Sequence, residues 1–118
     1  MPFNDLREFI DAARKLGQVK EIHGAHWELE IGALTELFAF KEPSPLVLFD
    51  QVPGYAPNFR VASNLINTPS RSSLTVGMPP DATPIELIAK WKDLLKGVKP
   101  VPPRFVTNGP ILENVKTG

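Results

Sequence analysis

The chain has no cysteine among its 118 residues. That absence excludes a disulfide framework, a thiolate nucleophile and any cysteine-based metal site. It has no charge excess either, since 13 Lys+Arg balance 13 Asp+Glu. Without a basic surplus to neutralise phosphates, a dedicated nucleic-acid binder is not expected. No apolar run approaches the roughly 20 residues that span a bilayer. Met1-Pro2-Phe3-Asn4-Asp5 lacks the basic and apolar regions of a signal peptide. The expectation is a cytoplasmic protein without membrane contact. Glycine-rich nucleotide loops are also missing: there is no GxGxxG, no P-loop signature and no GxSxG elbow.

What is present suffices for one domain of ordinary size. Hydrophobic residues make up 42%, enough for one modest core. Proline is over-represented, with 13 residues against an average usage of about 5%. Pro100, Pro102, Pro103 and Pro110 fall near the end, where each fixes φ and removes a backbone donor.

Hydrophobic spacing predicts a helix over 5–16, with Leu6, Phe9, Ile10, Ala13 and Leu16 on one stripe. Asn4 or Asp5 caps it, and Gly17 suits the left-handed position that ends it. A strand follows over 19–22. A second helix is predicted over 30–40, with Trp27, Ile31, Leu34, Leu37 and Phe38 supplying the buried face and Pro43 and Pro45 ending it. Leu46-Val47-Leu48-Phe49 reads as a strand covered on both faces. Residues 50–57 form a turn around Pro53-Gly54, and 60–64 a further strand.

Thr68-Pro69 and Thr83-Pro84 each place a capping hydroxyl before a proline at the first helical position. Thr83-Pro84-Ile85-Glu86 is a complete capping box opening a helix to Lys96, with Ile85, Ile88, Trp91 and Leu95 facing inward and Gly97 as the stop. Beyond it, 99–103 is extended, and Arg104-Phe105-Val106 is a candidate short strand. The fold class is α+β: a small sheet packed with about three to four helices, followed by an extended, proline-rich C-terminal arm. Residues 1–97 form the domain and 98–118 the arm.

Each candidate site has an ordinary structural alternative. His23 and His26, with Glu21, Glu28 and Glu30, are a metal-ligand inventory, but their spacing matches no zinc pattern and all suit a solvated loop. Thr68-Pro69-Ser70-Arg71-Ser72-Ser73 gathers hydroxyls and an arginine at a helix start, where a phosphate or carboxylate can bind. The alternative is a capped turn whose arginine packs or pairs at an interface. No serine sits where a Ser-His-Asp triad needs it. Trp27 and Trp91 read as core, and Tyr55 as a loop packing residue.

The succession of segments says more than any one residue. Asp5-Leu6-Arg7-Glu8-Phe9-Ile10, Leu16-Gly17-Gln18-Val19-Lys20-Glu21-Ile22 and Glu30-Ile31-Gly32-Ala33-Leu34-Thr35-Glu36 come first. Pro45-Leu46-Val47-Leu48-Phe49-Asp50, Val52-Pro53-Gly54-Tyr55, Pro102-Pro103-Arg104-Phe105-Val106 and Gly109-Pro110-Ile111-Leu112-Glu113-Asn114-Val115 continue it. In this order the chain resembles the N-terminal domain of UbiD-type decarboxylases. The resemblance implies a carboxy-lyase that removes, or reversibly adds, CO2 on aromatic, heteroaromatic or α,β-unsaturated acids. It implies prenylated FMN with a divalent metal and potassium in the full-length enzyme, a flavin-binding domain as partner, and a homo-oligomer.

The family's catalytic Glu-Arg-Glu set, flavin ligands and metal ligands lie beyond Gly118. No catalytic, cofactor-binding or metal residue is therefore expected in this chain, and Glu36, Arg71 and Glu86 are not a substitute set. Two rival readings are a free-standing interaction subunit of a multi-subunit decarboxylase and an unrelated small anion-binding module.

Overall fold

A computed structural model describes residues 2–110 and Glu113. The elements are α1 (Leu6–Lys15), β1 (Val19–His23), α2 (Glu30–Ala39), β2 (Leu46–Asp50), β3 (Val61–Ser63), α3 (Pro69–Thr75) and α4 (Pro84–Lys96). The strands form one sheet in the order β1-β2-β3. β1 pairs with β2 in parallel, Val19 opposite Leu46 and His23 opposite Asp50. Parallel neighbours need a crossover, which α2 supplies. β3 is antiparallel to β2, Phe49 opposite Val61. The fold is α+β, as the sequence patterning indicates.

β2 is the centre of the molecule. Leu46, Val47, Leu48 and Phe49 are all buried, and alternation sends successive side chains to opposite faces. Leu46 and Leu48 pack with Phe9, Ile10 and Ala13 of α1, joined by Val19, Ala62 and Leu74. Val47 and Phe49 pack with Ala25, and Ile22, Ile31, Leu34 and Phe38 close over them. The unbroken apolar run therefore serves two cores, one under α1 and one under α2.

Local signals set the helix ends. Asp5 caps α1, its Oδ1 accepting from the amides of Arg7 (2.9 Å) and Glu8 (3.0 Å). Gly17 follows at φ 68°, the left-handed conformation that costs other residues a steric clash. At α4, Thr83 Oγ1 accepts from the Glu86 amide (3.4 Å), and Glu86 Oε2 accepts from the Thr83 amide (2.8 Å). The Thr83 hydroxyl and amide together hold the Glu86 carboxyl below its ordinary pKa. A depressed carboxylate contributes stability above its unfolded value, about 4.3, and loses it as pH falls through the folded value. Amide protection in the first turn of α4 is thus expected to fall on acidification below about pH 4. Glu86→Gln should flatten that dependence, and Thr83→Ala should cost about 1 kcal/mol.

Several expectations need correction. β3 is shorter than the strand predicted over 60–64. No strand forms at Arg104-Phe105-Val106, which carry no regular structure and are exposed. Trp27 is 56% exposed, because it precedes α2 instead of riding on it; Leu37, on the flank of the Ile31-Leu34-Phe38 stripe, is also exposed. The largest difference is α4. Its predicted inward residues Ile85, Ile88, Trp91 and Leu95 are 78%, 65%, 45% and 63% exposed. The sheet offers α4 no free face, since α1 with Leu74 of α3 covers one side and α2 the other. The Cα radius of gyration is 18.1 Å, well above the about 13–14 Å of a compact chain of this length. Ile111, Leu112, Asn114 and Val115, part of the predicted arm, lie outside the described residues.

Candidate functional site

The sequence from Thr68 to Ser73 folds as a capped turn. Thr68 is extended and its Oγ1 accepts from the Arg71 amide (3.4 Å). Pro69 takes the first helical position, where its missing N–H costs nothing. This arrangement sends the Arg71 side chain into the molecule, where it is fully buried.

The fold engages the guanidinium through four hydrogen bonds. Arg71 Nε donates to the Leu65 carbonyl (2.9 Å), and Nη1 donates to Gln18 Oε1 (2.8 Å). Nη2 donates to the carbonyls of Ser44 (2.7 Å) and Asn64 (3.1 Å). One side chain thereby joins α3 to the turn before β1, the loop before β2 and the segment after β3. Burial lowers the Arg71 pKa from its ordinary value, yet a guanidinium stays protonated. Among the described residues no carboxylate pairs with it. Its charge is balanced by oxygen dipoles instead.

The surrounding polar groups are tied together in the same way. Gln18 Oε1 also accepts from Thr68 Oγ1 (3.2 Å) and Ser70 Oγ (3.1 Å). Asn64 holds φ 54°, a conformation asparagine tolerates. Its Nδ2 donates to the Thr35 carbonyl of α2 (2.9 Å). An open cleft of about 850 Å³ lies alongside, lined by Gln18, Phe40, Lys41, Ser44, Thr68 and Ser70 among others. Arg71 lies beneath this lining and presents no free fork to it. The geometry is that of the capped turn with an inward arginine. Gln18 and Ser44 are the partners that sequence reasoning missed, and no local pattern marks them.

The other candidate groups are dispersed. His23 ends β1 opposite Asp50. Glu30 Oε2 accepts from the His26 amide (2.7 Å), and His26 Nδ1 accepts from the Glu28 amide (3.3 Å). Glu21 pairs with Arg14 Nη2 at 2.7 Å. Among the described residues no three histidine or carboxylate side chains gather as a metal-ligand set. Glu36 is exposed on α2, Arg71 is buried and Glu86 closes the α4 capping box. No ion pair joins any two of these three among the described residues. Tyr55 is exposed and leans on Phe59, ring centroids 6.3 Å apart.

The described residues offer prenylated FMN no built seat. Among them, no buried side-chain nitrogen or oxygen is left without a hydrogen-bond partner. No glycine-rich loop cradles a phosphate, and the buried cation is engaged by Gln18 and three carbonyls. Among the described residues no helix is long and apolar enough to cross a membrane.

Comparison with known proteins gives the family of this fold. Residues 10–91 match the UbiD family's 3-octaprenyl-4-hydroxybenzoate carboxy-lyase N-terminal domain. The pyrrole-2-carboxylic acid decarboxylase of Pseudomonas aeruginosa is 29% identical over 97% of this chain, but only 24% of that protein is covered. The phenolic acid decarboxylase of Bacillus subtilis is 33% identical over 73% of this chain and 18% of its own length. The chain therefore spans about a quarter or less of these relatives. Vanillic acid decarboxylase of Sedimentibacter hydroxybenzoicus shares the fold. Its open form, with a truncated second component, gives a TM-score of 0.66 at 23% identity, covering 74% of this chain and 19% of that one. Its closed form gives 0.66 at 23% identity, covering 89% and 22%. With the family match running through the sheet, the Arg71 turn and most of α4, this chain belongs to the UbiD family and corresponds to its N-terminal domain.

Proposed function

We propose that this chain is the structural N-terminal domain of a UbiD-type carboxy-lyase and is catalytically inactive alone. In this reading residues 1–97 support a flavin-binding domain, and 98–118 form the strap leading toward it. The enzyme so assembled acts in the cytoplasm as a homo-oligomer. It non-oxidatively decarboxylates, or reversibly carboxylates, aromatic, heteroaromatic or α,β-unsaturated acids. Prenylated FMN, assisted by a divalent metal and potassium, supplies the electron sink for that chemistry when bound in the complete enzyme.

The observation that carries the reading is the use of the most chemically promising group. Arg71, the one buried cation of the family-matched segment, donates to Ser44, Asn64, Leu65 and Gln18. It holds the domain together and is not turned toward a substrate. The small share of each relative that this chain spans supports the same conclusion.

A second reading, a free-standing subunit that joins a separately encoded catalytic chain, draws support from the exposed apolar face of α4. The coding sequence downstream of Gly118 separates the two. Continuous reading into a flavin-binding domain supports the first; a stop codon there removes it in favour of the second.

A further inference from the structure

An asparagine is chemically durable where its neighbours hold it. Its side-chain amide becomes labile when the next backbone nitrogen can reach its carbonyl carbon and close a succinimide ring. The fold works against that approach at Asn4, Asn58, Asn64 and Asn67. Asn4 Nδ2 donates to Glu8 Oε1 (2.9 Å). Asn64 Nδ2 donates to the Thr35 carbonyl (2.9 Å), and Asn67 Nδ2 donates to Asn64 Oδ1 (3.2 Å). Asn58 is exposed, but the amide that follows it, on Phe59, donates to the Ala56 carbonyl (3.0 Å).

Asn108 has none of these restraints. It is exposed, in a stretch without helix or strand. Among the described residues its side chain makes no hydrogen bond, and no carbonyl accepts from the Gly109 amide. The residue after it is glycine, so no Cβ crowds the attacking nitrogen. The fold does not require that glycine. A Cβ placed there meets nothing within 4 Å, and Gly109 is not among the glycines at positive φ.

We propose that Asn108-Gly109 is a self-modifying site, at which the chain converts its own asparagine to aspartate and isoaspartate. The Gly109 nitrogen attacks Asn108 Cγ, and an N–Cγ bond forms. The Cγ–Nδ2 bond breaks, and Nδ2 leaves as ammonia with the proton that the Gly109 nitrogen gave up. Water then opens the succinimide. Attack at Cγ breaks the new bond and leaves aspartate in the original main chain. Attack at the main-chain carbonyl carbon of residue 108 breaks the old peptide bond and leaves isoaspartate, with an extra methylene in the backbone. Both products carry a carboxylate where a neutral amide stood, so the formal net charge moves from zero to one negative. Water is the only co-reactant. The inference is independent of the proposed function.

The test incubates the purified 118-residue chain at mildly alkaline pH and physiological temperature, and maps its peptides by mass spectrometry over time. The mass gain of amide-to-acid conversion should accumulate in the peptide holding Asn108 faster than in those holding Asn58 and Asn64. A protease that cuts before aspartate but not before isoaspartate should leave a modified fraction uncut. Gly109→Ala should slow the conversion at least about tenfold, since its Cβ hinders the approach. Asn108→Gln should remove the early mass gain. Neither substitution should move the urea midpoint, because neither residue belongs to the two cores. A gain at Asn108 no faster than at Asn58, or a rate unchanged by Gly109→Ala, overturns the inference. Conversion to aspartate with no isoaspartate overturns the succinimide route and the proposal with it.

Discussion

Arg71→Ala is expected to destabilise the chain by about 3–5 kcal/mol, a large share of the ~5–15 kcal/mol that holds a domain folded. The substitution removes four hydrogen bonds from a charged donor. It leaves the carbonyls of Ser44, Asn64 and Leu65 without that donor, and each buried acceptor so stranded costs about 1–3 kcal/mol. Relief from burying a guanidinium offsets part of the loss, which is why the bonds do not simply add. Arg71→Lys keeps the charge but replaces a planar fork with a single ammonium. It should recover only a fraction of the stability. Urea denaturation reads both effects. A loss below about 1 kcal/mol for Arg71→Ala would mean that the guanidinium is not the clasp described here.

Phe49→Ala is the second large effect, also about 3–5 kcal/mol. Phe49 is fully buried on the central strand, and Ile31, Leu34 and Phe38 of α2 pack against the cluster it forms with Val47 and Ala25. Removing the ring takes away the platform on which α2 rests. Hydrogen exchange should therefore accelerate in α2 more than in α1, whose contacts run through Leu46 and Leu48 on the other face. Leu48→Ala should give the reverse pattern, with a loss of about 2–5 kcal/mol. Equal acceleration of both helices in both variants would contradict the division into two cores.

Features written in neighbouring residues were legible from the sequence. The capping box at Thr83 and Glu86 spans four positions, and its hydrogen bonds form as the residue types require. The run Leu46-Val47-Leu48-Phe49 announces a strand buried on both faces, since no polar residue interrupts it. The Arg71 clasp was not legible, because its partners Gln18 and Ser44 stand 53 and 27 residues away. Residue type allowed Arg71 to bind an anion or to pair internally, and only tertiary geometry distinguishes the two. The α4 face shows a different limit. Periodicity reports that Ile88, Trp91 and Leu95 share a stripe, not that anything in the same chain covers it. Trp27 shows the related case of an aromatic side chain just outside a helix, where helical spacing no longer applies.

The account makes UbiD-type chemistry depend on parts outside these residues, and one measurement addresses that directly. The purified 118-residue chain is incubated with prenylated FMN, divalent metal and potassium, desalted, and assayed for bound-flavin absorbance and for CO2 release from a panel of aryl and α,β-unsaturated acids. The account predicts no retained flavin and no CO2 above the protein-free control. Stoichiometric flavin retention with turnover would contradict it.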